Sequence, residues 1–151
     1  LRRHELRQRV IQALYQVDVG KAEIDTAIIS VLDADLTSGW TETKPSTDSD
    51  YEYLVRVVNG TRSALPTLDK LLEENVQGWS MDRIARVELN ILRLALFELL
   101  YEVDVDVATV VDEAVELSKD FSTEESGKFV NGVLARILPL VTAMRTSPQC
   151  L

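Results

Sequence analysis

The 151-residue sequence predicts an all-α fold of about seven helices, packed as two helical bundles around one buried central helix. Three observations lead there. The stretch Trp79–Glu102 (WSMDRIARVELNILRLALFELLYE) is apolar on nearly every face between Asn90 and Tyr101, interrupted only by Arg93 and Glu98. A helix greasy all round is buried by its neighbours rather than laid on a surface. Apolar residues elsewhere recur at helical spacing, and one short stretch alone alternates like a strand. Six Gly and four Pro are too few for a β-fold with many tight turns.

Each element follows from its pattern. In Arg2–Val19, the residues Leu6, Val10, Ala13, Leu14 and Val17 form one stripe, and Gly20 ends the helix. Glu23–Asp35 carries Ile24, Ala27, Ile28, Val31 and Leu32 on a second amphipathic helix. Thr37–Asp50 is polar and rich in Ser and Thr, longer than most loops inside a compact domain. Trp40 is its one large apolar side chain. Tyr51, Leu54, Val55 and Val58 begin a third helix. Pro66 lacks the amide hydrogen that continues a helix, so it kinks or restarts this one. Leu68, Leu71, Leu72 and Val76 carry the apolar face on to Gly78.

The central helix is expected over 79–102, with Ser80 as its N-cap and Asp82 in the first turn. Arg83, Arg86, Asn90 and Arg93 form its polar stripe, continued by Phe97 and Tyr101. It is too short and too charged to span a membrane. Val103–Val107 alternates, but no second strand exists to pair with it, so it is read as a connector. Asp104 and Asp106 resemble a calcium loop, which fails because no Gly stands at the sixth position and Val115 replaces the bidentate Glu. Val107, Val110, Val111, Ala114, Leu117 and Phe121 form the next helical face. Ser122 and Glu125 are spaced as a capping box. Val130, Val133, Leu134, Ile137 and Val141 form the last stripe, with Pro139 near its end. Gly132 sits mid-helix, which implies close packing or a bend there. The bundles are expected at about 1–76 and 79–141 within a single domain.

Composition narrows the function. The 16 basic residues against 25 acidic ones set a net charge of −9, which repels nucleic acid and acidic membranes at long range. Any nucleic-acid role must therefore rest on a local basic patch. Arg2, Arg3, Arg7 and Arg9 lie in the first nine positions, a solvated helix end or an arm for phosphates, with Tyr15 two turns on to stack on a base. The chain begins with Leu rather than Met, so a few further residues are expected ahead of it. The single Cys150 allows no internal disulfide and suits a reducing cytosol. No signal-peptide pattern precedes the first helix. No Gly-rich phosphate loop, metal-ligand spacing or nucleophile–base pair is present, so no catalytic, cofactor or metal residues are assigned. Phe129, a quarter-turn off its core stripe, packs at an edge.

Several of these stretches resemble the NusB family of transcription antitermination proteins. The matching residues are Arg2-Arg3-x-x-x-Arg7 with Gln12-Ala13-Leu14-Tyr15-Gln16, then Ile91-Leu92-Arg93-Leu94-Ala95 with Glu98-Leu99. Asp112-Glu113-Ala114-Val115-Glu116-Leu117 and Lys128-Phe129-Val130-Asn131-Gly132-Val133-Leu134 complete the likeness, which is weakest over Val19–Thr61. The resemblance implies a cytoplasmic all-α protein that is no enzyme. It would bind single-stranded boxA RNA of ribosomal-RNA operon leaders together with NusE, a small-subunit ribosomal protein. The assembly would join the RNA polymerase elongation complex and other Nus factors. Carried over by position, Arg2, Arg3 and Arg7 would hold phosphates, and Tyr15 would stack or hydrogen-bond. Phe121, Glu125, Ser126, Lys128 and Phe129 would line the RNA site, with Phe129 stacking on an unpaired base. Asp82 and Glu88 would face the basic ribosomal partner.

Departures from the family pattern weaken the expected affinity of the chain alone. His4 and Glu5 interrupt the basic opening, and Glu124 and Glu125 put negative charge at a helix N-terminus otherwise suited to phosphate. A partner would supply the missing charge. Some members of the family form a homodimer through the basic face. Two other classes fit the residues less fully. One is the RNA-docking domain of an rRNA cytosine methyltransferase; the other is an acidic helical adaptor that binds only proteins.

Overall fold

A computed structural model describes residues 2–37, 47–76 and 81–146, without the side chains of residues 33–37 and 146. Seven α-helices and one 3-10 turn make up the described chain, and no strand occurs among these residues. By contact the chain divides into two compact units, Leu1–Arg62 and Ser63–Leu151.

The first unit holds α1 (Arg3–Asp18), α2 (Ile24–Thr37) and α3 (Asp48–Ser63). Leu6, Val10, Ala13 and Leu14 of α1 are buried, as are Ala27, Ile28 and Val31 of α2 and Leu54, Val57 and Val58 of α3. The spacing anticipated these residues in α1 and α2 and Leu54 and Val58 in α3, whereas Tyr51, expected in the α3 stripe, is exposed, Val55 is half-buried, and Val57 is buried in their stead. After α1 the chain turns tightly. A Cβ on Gly20 would stand 2.8 Å from the Gln16 carbonyl oxygen, so only glycine fits there. Lys21 adopts a positive φ of 57°, and its ammonium donates to the Asp18 carbonyl at 3.0 Å. That satisfies an orphan acceptor with a cation at the helix C-terminus.

The Thr37–Asp50 loop is shorter than its composition suggested at both ends, because α2 runs to Thr37 and α3 starts at Asp48. The physical reason at the α3 end is a reciprocal cap. The Thr47 N–H donates to the Asp50 carboxylate at 3.0 Å, and the Asp50 N–H donates to the Thr47 hydroxyl at 3.1 Å. The rest of that loop, including Trp40, lies outside the described residues.

The second unit contains α4 (Leu65–Asn75), a 3-10 turn at Met81–Arg83, α5 (Arg86–Tyr101), α6 (Val107–Phe121) and α7 (Glu124–Thr146). Pro66 restarts the chain as α4, standing in its first turn where no hydrogen bond is lost. The sequence placed α4 with the N-terminal bundle. It instead packs on α5 and α7, because Leu68 and Leu72 are buried and Arg93 of α5 grips Asp69. Two bonds hold that pair: Arg93 Nε donates to Asp69 Oδ1 at 2.9 Å, and Arg93 Nη2 donates to Oδ2 at 2.9 Å. So one charge in the greasy stretch of α5 is accommodated by a bidentate pair.

Every residue of α5 from Leu89 to Leu100 is buried, the burial expected of the central helix. Its start differs. Ile84 donates its N–H back to Met81 at 3.3 Å, one 3-10 turn, and Ala85 is extended before α5 begins. Burying Ile84 takes priority over continuing the helix, so Asp82 and Arg83 are not part of α5. The expected cap Ser80 and Trp79 lie outside the described residues. Val103–Asp106 forms a connector, with Val107 already opening α6, and its carbonyls find a partner from far along the chain. Arg145 Nη2 donates to Val103 O at 2.6 Å and Val105 O at 2.7 Å, with Glu102 O at 3.4 Å.

α7 continues past Pro139 to Thr146, beyond the end predicted. Pro139 and Ala135, whose carbonyl loses its helical donor, are both exposed, so water can serve that carbonyl. Val141 and the Arg145 bonds hold the last turns. By length and composition α7 could cross a membrane. Its buried stripe of Val130, Val133, Leu134, Ile137 and Val141 packs with α5 and α6, as the core helix of a folded unit does.

Candidate nucleic-acid interface

The basic opening of α1 splits into two environments. Arg2 and Arg3 are exposed, and the Arg3 guanidinium lies 4.1 Å from the centroid of the Tyr53 ring. Tyr53 is buried, at 3% exposure, and the cation lies over its ring face. Arg7 turns inward. It is only 4% exposed, because one turn separates it from Arg3 and from Ile11, and Leu6, Val10 and Leu14 beside it are core. An Arg7 side chain so placed does not offer its charge to a phosphate, which corrects the role the resemblance implied for it. Tyr15 is 39% exposed on the solvent side of α1, in keeping with a stacking ring.

A cation not foreseen in the sequence joins this set. Arg56 of α3 is exposed with its guanidinium 5.5 Å from the same Tyr53 ring. No spacing rule links it to Arg3; only the packing of α3 in the first unit brings them to one aromatic side chain. Arg9, whose burial lowers its pKa against the raising effect of Glu5, still remains charged at neutral pH.

In the second unit, the expected RNA residues cluster where α6 passes into α7. Phe121 closes α6 and Phe129 lies in the second turn of α7, each half-buried at the edge of the core. Glu125 and Lys128 are both exposed and form an i,i+3 pair at 3.4 Å, worth little in water. Ser126 is buried at 4% exposure and its hydroxyl has no hydrogen-bond partner among the described residues, so it faces the interior rather than a ligand. The cap is also one residue later than the spacing suggested. Thr123 Oγ1 accepts from the Ser126 N–H at 3.1 Å, and Ser122 instead ends α6. Beside this cluster a shallow groove of about 530 Å³ runs along α6 and α7, lined by Asp112, Glu116, Lys119, Glu124, Lys128 and Asn131. Its charges are mixed, and Lys119 pairs with Glu116 at 3.5 Å, so it does not present a uniform field to an anion.

Asp82 is exposed on the 3-10 turn, whereas Glu88 is half-buried in the first turn of α5. The break at Ala85 therefore puts the two proposed partner carboxylates on different elements. Glu88 also complements the positive end of the α5 dipole.

The described residues thus form an all-α protein with exposed arginines on one unit and a Lys–aromatic edge on the other. Comparison makes the assignment specific. The sequence model of the NusB family matches residues 4–139. The transcription antitermination protein NusB of an Exiguobacterium species is 43% identical over 138 residues, covering 91% of this chain and 98% of that protein. That of Geobacillus kaustophilus is 38% identical over 137 residues, covering 91% and 95%. Among solved structures, NusB of T. maritima superposes with a TM-score of 0.78 at 33% identity, covering 91% of this chain and 90% of that one. A structure of the antitermination factors NusB and NusE in complex with double-stranded RNA gives a TM-score of 0.76 at 28% identity, covering 91% and 96%. The chain belongs to the NusB family.

Proposed function

We propose that this protein is a transcription antitermination factor that binds boxA-type single-stranded RNA of ribosomal-RNA operon leaders together with the ribosomal protein NusE, promoting processive rRNA transcription. The observation that carries this reading is family membership over residues 4–139, since the relatives carry the name of transcription antitermination proteins. The solved complex of a relative with NusE and double-stranded RNA supports NusE and an RNA as the partners. The role is one of binding, exercised in the cytoplasm within the RNA polymerase elongation complex and other Nus factors.

Each unit offers groups of its own to this task. Arg2, Arg3 and Arg56 offer phosphate contacts on the first unit, and Lys128 offers one on the second. Tyr15, Phe121 and Phe129 present ring edges or faces to unpaired bases. Asp82 and Glu88 would meet the basic ribosomal partner. With a net charge of −9, the chain alone binds RNA weakly, and the partner supplies positive charge.

Fluorescence anisotropy with a short boxA RNA, with and without NusE at several salt concentrations, tests this. Tight binding is expected only with NusE, with preference over a scrambled RNA. Four phosphate contacts from this chain contribute about −3 to the log–log salt slope, at about −0.7 each. Binding of neither RNA, with NusE folded and present, would remove the RNA reading.

A further inference from the structure

Gly132 stands in the middle of α7, exposed, and a Cβ built on it meets nothing within 4 Å among the described residues. Close packing inside the protein therefore does not call for a glycine here, contrary to the expectation from its position. Glycine is a poor helix former, so alanine at this point would favour α7. An open helical glycine is useful where another molecule's backbone must come close.

The surroundings say which kind of molecule. Lys128 and Arg136 lie one turn before and one turn after Gly132 on the same face, and both are exposed. Phe129, three residues before, adds the edge of a ring. From Ser126 to Thr146 there is no Asp or Glu, in a chain of net charge −9. Lys128 pairs with Glu125 on its N-terminal side at 3.4 Å, an exposed contact that an anion can displace. The third cation of that stretch, Arg145, is committed to the connector carbonyls. This face thus pairs a bare backbone with a positive charge on either side, about 12 Å apart at 1.5 Å per residue.

We propose that the Lys128–Gly132–Arg136 face of α7 is a contact for the sugar–phosphate backbone of single-stranded RNA. A ribose comes against Gly132, and flanking phosphates meet Lys128 and Arg136. This rests on the RNA reading above and extends it by two turns of helix, adding Gly132 and Arg136 to the binding residues. Repeated negative charge on a flexible strand, with bases free to reach Phe129, suits this face better than an acidic peptide, which would leave the ring unused.

The test uses the full chain with NusE, comparing Gly132→Ala and Arg136→Gln with the unsubstituted protein. Gly132→Ala is expected to raise the melting temperature yet lower affinity for boxA RNA by about fivefold. Arg136→Gln is expected to make the log–log salt slope shallower by about 0.7. If the unsubstituted protein binds RNA and both variants match it in affinity and slope, the inference fails while the RNA reading stands. If the variants keep RNA binding but lose NusE, measured by titration of NusE alone, the face belongs to the protein partner and the inference is overturned. A Gly132→Ala variant that melts lower than the unsubstituted protein contradicts the open site. Absence of RNA binding by the unsubstituted protein with NusE removes both readings together.

Discussion

The pair of Arg93 and Asp69 offers a quantitative test of how α5 and α4 are held in one unit. Both guanidinium bonds are 2.9 Å long, and the side chains are 7% and 29% exposed. Two unit charges about 4 Å apart attract by about 4 kcal/mol at an effective dielectric of 20. Desolvating the guanidinium offsets much of that, so the intact pair contributes little net stability. Breaking it is different. Asp69→Ala leaves a buried cation without its carboxylate, which costs about 3–5 kcal/mol for a fully buried pair. Water reaching the Asp69 side brings the expected loss to about 3 kcal/mol, the low end of that range. Arg93→Ala removes the cation and its packed stem, and the remaining carboxylate can hydrate, so about 2–3 kcal/mol is expected. The double variant should lose less than the sum, with a coupling of about 1–2 kcal/mol. Urea unfolding followed by circular dichroism, at constant m-value, measures all three. Additivity within about 0.5 kcal/mol would refute the idea that this pair joins the helices.

Three further perturbations separate stability from binding. Arg145→Ala strips donors from carbonyls of the connector and should cost about 1–2 kcal/mol, with faster hydrogen exchange confined to residues near Val103–Val105 as the first sign. Burial raises the Asp50 pKa, but the hydrogen bond from the Thr47 backbone, then a nearby positive charge, then the Thr47 side-chain bond leave it lowered overall. Its folded pKa lies below the unfolded value of about 3.9, so its contribution is present above that pH and is lost as pH falls through the folded pKa. Asp50→Ala should thus cost about 1 kcal/mol at neutral pH and nothing in strong acid, a difference that pH-dependent thermal melts would reveal. Arg56→Ala should leave the melting temperature nearly unchanged while making the RNA salt slope shallower by about 0.7. Arg7→Ala should do the reverse, and equal effects of the two on the salt slope would contradict the buried position of Arg7.

Much of this protein is written in local patterns. The stripes of α1, α2, α3, α6 and α7 could be read because an amphipathic helix repeats every 3.6 residues and its apolar face must be buried. The burial of α5 was equally plain, since only Asn90, Arg93 and Glu98 interrupt the apolar run from Leu89 to Leu100. Pro66 as a helix start also follows from one residue's chemistry. The family was legible as well, in Lys128–Leu134 and its distance from Asp112–Leu117, and the comparisons agree with it.

Other features depend on partners distant along the chain, which a local pattern cannot register. Arg145 and the connector carbonyls are about forty residues apart, and their bonds let an alternating, strand-like stretch exist without a sheet. Arg93 and Asp69, separated by 24 residues, assign α4 to the second unit. The burial of Ile84 breaks the central helix before Arg86 and separates Asp82 from Glu88. At the candidate interface, charge could be read from the sequence but accessibility could not. Arg3 and Arg7 are the same residue type one turn apart, and only the packing around α1 exposes the first and buries the second. Arg56 approaches Arg3 through a shared tyrosine. Helical periodicity thus determined the elements and their buried faces, whereas tertiary packing decided which charges remain at the surface to meet a ligand, because exposure depends on every neighbour at once.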